Sequence, residues 1–225
     1  MGRRAAAIAL VVTLLAGVAA TPPTANAAPV FEAFFGIGRH APPPSLVYSY
    51  RGWRVDASRA GQTMKSEAIV KRIDAQLDLV AKTGVRDDVL TFMRGQPIVA
   101  DPSAGTEPAR YLRGRGVLVR VKLLDPRKPM VLRQLLYAYL DQRLPGGFAN
   151  PDVARFRREA IARKAWPQTA AMLQSDPDYF TYTATAYLTG AITREPYNRA
   201  NLRKTQPYYY QWLARVLDVA GRPRA

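Results

Sequence analysis

The segment from Met130 to Leu144 constrains the fold of this chain more than any other. Its apolar residues cover most of the circumference of a helix: Leu132, Leu135, Leu136, Tyr139 and Leu140. A helix that is apolar on nearly every side is buried inside a domain, because a surface helix has only one apolar stripe. Pro129 suits the start of this helix, and Pro145-Gly146-Gly147 ends it. The sequence therefore predicts a domain built around one central helix.

Periodicity predicts further helices and a few short strands around this central helix. The other predicted helices are 63–82, 87–94, 152–165, 178–189 and 207–219. The predicted strands are 47–56, 98–100 and 116–124. Gly52 suggests a bulge in the first strand, and the last alternates Val117, Val119, Val121 and Leu123 on its buried face. We expect an α+β fold over residues 46–225, dominated by helices, with a small sheet in the first half.

The first residues have the pattern of an export signal. Arg3 and Arg4 precede an apolar run of about 16 residues, which is shorter than the ~20 residues of a membrane-spanning helix. Ala25-Asn26-Ala27 then offers the small residues that a signal peptidase requires, so we expect cleavage after Ala27. Residues 28–45 contain four prolines and are expected to form an extended arm. These features predict an exported protein, periplasmic or secreted, with no membrane span after signal removal.

The rarest residue types exclude much enzyme chemistry. The chain has no cysteine and one histidine, His40. Thiolate metal sites, cysteine nucleophiles and sites with two histidine ligands are therefore excluded. We expect no metal and no cofactor.

The charge of the chain suggests a second kind of partner. The 33 basic and 17 acidic residues give a formal charge of +16, which falls to +14 when the two arginines of the signal are removed. A field of this sign attracts polyanions. The basic residues are dispersed and form no nucleic-acid motif, and an exported protein rarely meets nucleic acid, so we expect no such partner. Acidic polymers of the cell envelope and anionic lipid surfaces remain an alternative class of ligand.

A resemblance to a known family begins in the central helix. The run Pro129 to Gly147 is similar to the active-site helix of exported bacterial zincin-like metallopeptidases with the anthrax lethal factor-like catalytic fold, which reads H-E-L-L-H-A-Y-H and closes on L-P-G-G. Residues 178–188 look like the later helix that carries the glutamate ligand, and residues 48–56 look like the opening strand. The three segments occur in the family's order. The resemblance implies a zincin-like fold for most of the chain.

The same resemblance assigns four positions of a degenerate metal site. Arg133 stands at the first histidine, Gln134 at the general-base glutamate, Tyr137 at the second histidine and Asp178 at the glutamate ligand. Arginine has no lone pair for a metal, and the glutamine amide is no base at ordinary pH. Tyrosine would have to ionise from a pKa near ~10. The substitutions therefore predict a domain without zinc and without peptidase activity.

Two classes of function follow from these substitutions. The first is a pseudopeptidase that keeps the fold and binds a peptide or protein, or serves as a structural envelope protein. The second is a basic envelope module that binds acidic polymers or anionic lipid, and an enzyme of another class using the remodelled pocket is a third hypothesis. Because a buried cation needs an anion, we also expect Arg133 to form an ion pair with Asp178, with the Tyr137 hydroxyl close by.

Overall fold

A computed structural model describes residues 45–103, 105–192 and 196–218. The expected signal at 1–27 and nearly all of the expected arm at 28–45 lie outside these described residues. The fold is mixed α and β, with a five-stranded sheet in the first half of the chain. The coarse expectation is therefore confirmed.

The sheet has the strand order β1-β2-β3-β5-β4. Its strands are β1 (Val47–Tyr50), β2 (Trp53–Asp56), β3 (Ile98–Ala100), β4 (Ala109–Leu112) and β5 (Gly116–Val119). The three inner strands β2, β3 and β5 run parallel, and β1 and β4 pair antiparallel with their neighbours at the two edges. One edge of the sheet is therefore formed by β4, which the sequence analysis did not predict.

Seven α-helices surround the sheet in the described part of the chain. They are α1 (Ser66–Ala81), α2 (Asp87–Arg94), α3 (Met130–Arg143), α4 (Pro151–Ala162), α5 (Asp176–Thr189), α6 (Arg199–Thr205) and α7 (Pro207–Leu217). The predictions of α1 to α5 and α7 are confirmed, with ends that move by up to three residues, whereas α6 was not predicted. None of the described helices is both long and apolar enough to cross a membrane.

The helix α3 lies at the centre of this arrangement, as its sequence predicts. It contacts β4 and β5 of the sheet and the helices α1, α2 and α5. The apolar residues of α3 are almost all buried: Val131, Leu132, Leu135, Leu136, Ala138, Tyr139 and Leu140. Burial on most sides explains why apolar residues cover most of this helix, and its polar residues Arg133, Gln134 and Tyr137 share the remaining side.

The prediction of a single bulged strand at 47–56 is wrong. The segment is a hairpin in which Arg51 and Gly52 form the two-residue turn between β1 and β2. Both turn residues have positive φ, +47° for Arg51 and +89° for Gly52. Two such residues form the tight turn whose twist matches that of a hairpin. The aromatic and β-branched residues on both sides concealed the turn in the sequence.

The strand predicted at 116–124 is shorter than expected. The strand β5 ends at Val119, and Val121–Leu123 forms a turn of 3-10 helix in which the Leu123 side chain is 41% exposed. The four residues of β5 are all buried, because this strand lies between β3 and β4 inside the sheet. In a strand that is covered on both faces, buried and exposed side chains do not alternate, so the alternating residues after Val119 were no evidence that the strand continues.

Candidate functional site

The four positions that the resemblance singles out line one cavity. Arg133, Gln134 and Tyr137 reach it from α3, and Asp178 reaches it from the first turn of α5. The strand β4 forms another wall through residues 110–112. This β4–α3 cavity has a volume of about 500 Å³. It is the place where the sequence analysis expected a remodelled metal site.

The start of α5 fixes the carboxylate of Asp178. Ser175 caps the helix, since its hydroxyl oxygen accepts a hydrogen bond from the Asp178 backbone N–H at 3.1 Å. The same hydroxyl donates to Asp178 Oδ2 at 2.5 Å. A carboxylate in the first turn is also favoured by the positive end of the helix dipole. Asp178 is therefore held by its own helix.

Tyr137 supplies the contact between α3 and α5 at this point. Its hydroxyl donates a hydrogen bond to Asp178 Oδ1. Burial, followed by this hydrogen bond, holds the pKa of the Tyr137 hydroxyl well above its ordinary value. The side chain therefore stays protonated and acts as a donor. The structure brings Tyr137 and Asp178 together, as the resemblance implies.

Gln134 ties the helix α3 to the edge strand β4. Its side-chain Oε1 accepts a hydrogen bond from the backbone N–H of Tyr111 at 2.8 Å. Gln134 is only 4% exposed, so this hydrogen bond is shielded from water. At the position that the resemblance gives to a general base, the chain carries a neutral acceptor already bound to backbone.

Arg133 lies on the other side of the cavity with no anionic partner. Its guanidinium carbon lies 4.7 Å from the centroid of the Tyr182 ring, over the face of that ring. The Nε atom is buried and has no hydrogen-bond acceptor. Within the ranges 45–103, 105–192 and 196–218, no carboxylate lies within salt-bridge distance of this side chain.

The expected ion pair between Arg133 and Asp178 is therefore wrong. Two hydroxyl groups, from Tyr137 and Ser175, take the place beside Asp178 that the prediction gave to the guanidinium. The cation stacks on Tyr182 instead, which lies one helical turn beyond Asp178 on α5. The resemblance gave the helices and positions but not the side-chain partners.

A second group of polar residues beside the cavity was not predicted. Asp141 belongs to α3 and has a fully buried side chain, whose carboxylate accepts two hydrogen bonds from Arg113 and one from the Tyr111 hydroxyl. These hydrogen bonds, those of Arg113 first, hold the pKa of Asp141 below its ordinary value against the opposing effect of burial. The signal in the sequence was an aspartate next to Leu140 in a buried helix.

The residues of the β4–α3 cavity do not fit a zinc ion. Zinc sites in proteins use thiolate, imidazole and carboxylate ligands, and this cavity offers only the carboxylates of Asp178 and Glu107, beside guanidinium, amide and protonated phenol groups. In the part of the chain that the structure describes, no three histidine, cysteine, aspartate or glutamate side chains are grouped so that they could hold a metal ion.

Comparisons with known proteins identify no family for this chain. No family model matches it, and neither a curated protein nor a solved structure gives a match. The resemblance to zincin-like peptidases therefore remains a proposal that rests on the three sequence segments.

Proposed function

We propose that this protein is an exported, zincin-like pseudopeptidase that binds an extended peptide segment of a partner protein along β4 without cleaving it. The support for this proposal is the combination of a sheet edge without a further strand, a cavity beside it and side chains that lack zinc-peptidase chemistry.

The observation that carries the proposal is the outer edge of β4, to which no further strand of the described chain is paired. The carbonyl of Pro108 accepts from the Arg120 N–H, so in this antiparallel pair residues 110 and 112 also face β5, and Ala109 and Tyr111 face outward. The Tyr111 N–H donates to Gln134. The N–H and C=O of Ala109 and the C=O of Tyr111 have no backbone partner among the described residues. Ala109 is only 3% and Tyr111 only 9% exposed, so a ligand strand pairs with them only if neighbouring side chains move. An edge of this kind is a template for adding a strand from a partner.

An exposed aromatic residue beside this edge offers a contact for a side chain of the ligand. Phe148 is 39% exposed and lies between Tyr111 and Tyr137, whose rings meet it edge to face at 6.4 and 6.3 Å. The turn before it needs glycine, since Gly147 has φ +55° and an added Cβ would lie 2.9 Å from the Asp141 carbonyl oxygen. Aromatic side chains at the centre of an interface often contribute much of the binding energy.

The chemistry of the cavity supports binding without cleavage. Peptide hydrolysis needs a base to activate water and a group that stabilises the oxyanion. Gln134 cannot take a proton, and the Tyr137 hydroxyl is held in its protonated form. Asp178 already accepts hydrogen bonds from two hydroxyls.

A selection from a random heptapeptide library on phage tests this function with the protein from residue 28 onward. We expect enriched peptides that bind the wild-type protein and lose at least about tenfold in affinity with Ala171→Trp, since Ala171 is exposed and borders the cavity. The matched control is Ala68→Trp, which adds the same ring on the exposed face of α1. No enriched peptide, or equal losses in both variants, would reject binding at this site.

Two further measurements separate the parts of the proposal. Methylation of alternate backbone nitrogens of an enriched peptide should weaken binding at one parity only, because an added strand turns every second N–H toward β4. Mass spectrometry should find the peptide intact after incubation, with and without added zinc, and elemental analysis should find no stoichiometric zinc. Cleavage, or one zinc ion per chain, would contradict the pseudopeptidase.

The alternative of a basic envelope module makes a different prediction. A protein that binds acidic polymer through dispersed surface arginines should bind heparin with an affinity that falls steeply with salt concentration. A peptide that adds to β4 should show a weak salt dependence and should not be displaced by heparin. Displacement of all enriched peptides by heparin would favour the alternative.

A further inference from the structure

We infer that the bound segment carries a carboxylate, and that Arg133 is the residue that recognises it. This inference rests on the proposed function and goes further, because it names the chemical class of ligand.

Arg133 is a cation held in place but lacking acceptors. Its guanidinium lies 4.7 Å from the Tyr182 ring centroid, and its Nε is buried with no hydrogen-bond partner. The residue as a whole is only partly buried, so the group remains accessible from the cavity. A buried donor without an acceptor is costly in a folded protein, and such groups are uncommon. Because Nε itself is buried, a ligand with an anionic acceptor would bind the terminal nitrogens of the guanidinium, for which no hydrogen bond is found among the described residues.

The carboxylates near the cavity do not pair with Arg133. Asp178 accepts hydrogen bonds from Tyr137 and Ser175, and Asp141 accepts them from Arg113 and Tyr111. The third carboxylate, Glu107, is exposed on the wall of the β4–α3 cavity and is not within salt-bridge distance of Arg133. The guanidinium of Arg133 is therefore left for a group from outside.

Arg133 lies where a segment along β4 would pass. It borders the β4–α3 cavity and also a second cavity of about 190 Å³, which is lined by Pro108 and Ala109 at the start of β4. The two cavities together follow β4 from Pro108 to Arg113. A ligand strand on this edge would therefore run past the guanidinium.

The form of the guanidinium favours a carboxylate over a neutral acceptor. Its planar group of donors matches the two oxygens of a carboxylate, and charge-assisted hydrogen bonds of this kind are stronger than neutral ones. In a peptide the carboxylate comes from an aspartate or glutamate side chain or from the free C-terminus. Either source would fit the same donors.

The experiment repeats the phage selection in parallel on the wild-type protein, on Arg133→Met and on Arg158→Met. Arg158 is exposed on α4 and lines neither cavity, so Arg158→Met removes the same charge at a site away from both. The library is used in two formats, with the peptide C-terminus either free or fused, which distinguishes the two sources of carboxylate.

We expect wild-type and Arg158→Met selections to enrich an acid at one fixed position, or free C-termini, and the Arg133→Met selection to lose that preference. In the synthetic peptide, replacing the acid by its amide should weaken binding to wild type by about tenfold or more and to Arg133→Met by less than about twofold. Peptides that bind along β4 with no fixed acid would overturn the inference and leave the proposed function standing. A selection that enriches no peptide at all would overturn both.

Discussion

Three arginines border the β4–α3 cavity, and the surroundings of two of them, Arg113 and Arg133, differ. Arg113 is anchored by Asp141, whose side chain is fully buried, and the Tyr111 hydroxyl completes that network. Arg133 is the more buried of the two, yet it has an aromatic ring in place of an anion and a buried Nε without an acceptor. A buried polar network whose groups are hydrogen-bonded to one another stabilises the folded state. Arg94, stacked over Trp53, also has a buried Nε without an acceptor, and Arg133 differs from it by bordering the two cavities along β4.

The two carboxylates of the region show the same difference. Asp141 binds a cation and a hydroxyl, whereas Asp178 binds two hydroxyls, from Tyr137 and Ser175. If the cavity served only stability, Arg133 and Asp178 would be expected to pair as Arg113 and Asp141 do. The difference supports the proposal that Arg113 and Asp141 stabilise the fold and that Arg133 binds the ligand.

The largest expected effect is the loss of Asp141. Asp141→Ala removes the acceptor of Arg113 and leaves the buried Tyr111 hydroxyl without the carboxylate to which it donates. We expect the free energy of unfolding to fall by about 3 kcal/mol, measured by urea denaturation. A loss below about 1 kcal/mol would mean that this network does not serve the fold.

The contribution of Asp141 should also depend on pH. Because Arg113 holds the pKa of the native carboxyl below its ordinary value, this stabilisation is present above the unfolded pKa of ~3.9 and is lost as the pH falls through the native value. The difference in unfolding free energy between wild type and Asp141→Asn should therefore be larger at pH 7 than at about pH 2.5. An equal difference at both pH values would contradict this assignment.

A smaller effect is expected at the second carboxylate. Tyr137→Phe removes the hydroxyl that donates to Asp178, while Ser175 and the start of α5 still hold the carboxylate. We expect a loss of about 1 kcal/mol in the free energy of unfolding, which is typical for one hydrogen bond. A decrease in the free energy of unfolding as large as that of Asp141→Ala would show that the contact between Tyr137 and Asp178 stabilises the fold as much as the Asp141 network does.

The smallest effect, and one of opposite sign, is expected at Arg133. Arg133→Met keeps the length of the side chain and removes a buried donor that has no acceptor, at the cost of the contact with Tyr182. We expect the free energy of unfolding to stay the same or rise by up to about 1 kcal/mol. Arg158→Met is the control for the lost charge. A loss of more than about 2 kcal/mol would show that Arg133 serves the fold.

The sequence predicted the elements of this fold better than their partners. The bounds of α3 followed from Pro129 and from the glycines after Pro145, because these residues act on the backbone locally. The strand β4 is four residues long with two of them polar or small, and its extended form depends on pairing with β5. Pairing between distant segments is invisible to local periodicity.

The site shows the same limit. The spacing of Arg133 and Tyr137 placed both residues on the cavity side of one helix, and the resemblance placed Asp178 opposite them. The partners of Asp178 depend on the side-chain length of Tyr137 and on the cap at Ser175, because both hydroxyls donate hydrogen bonds to the carboxylate in place of a guanidinium. Such competition is decided by distances of a few ångströms that no sequence pattern records.

The central claim is that the guanidinium of Arg133 can bind a ligand carboxylate, whereas the guanidinium of Arg113 is already paired with the carboxylate of Asp141. The most direct measurement is an arginine Nε–Hε NMR titration of the protein with acetate at constant ionic strength, with acetamide as the neutral control and Arg133→Lys to assign the signal. We predict that the Arg133 signal shifts and saturates with acetate, that it does not respond to acetamide, and that the Arg113 signal stays in place. Equal shifts at both arginines, or no shift at Arg133 up to molar acetate, would contradict the account.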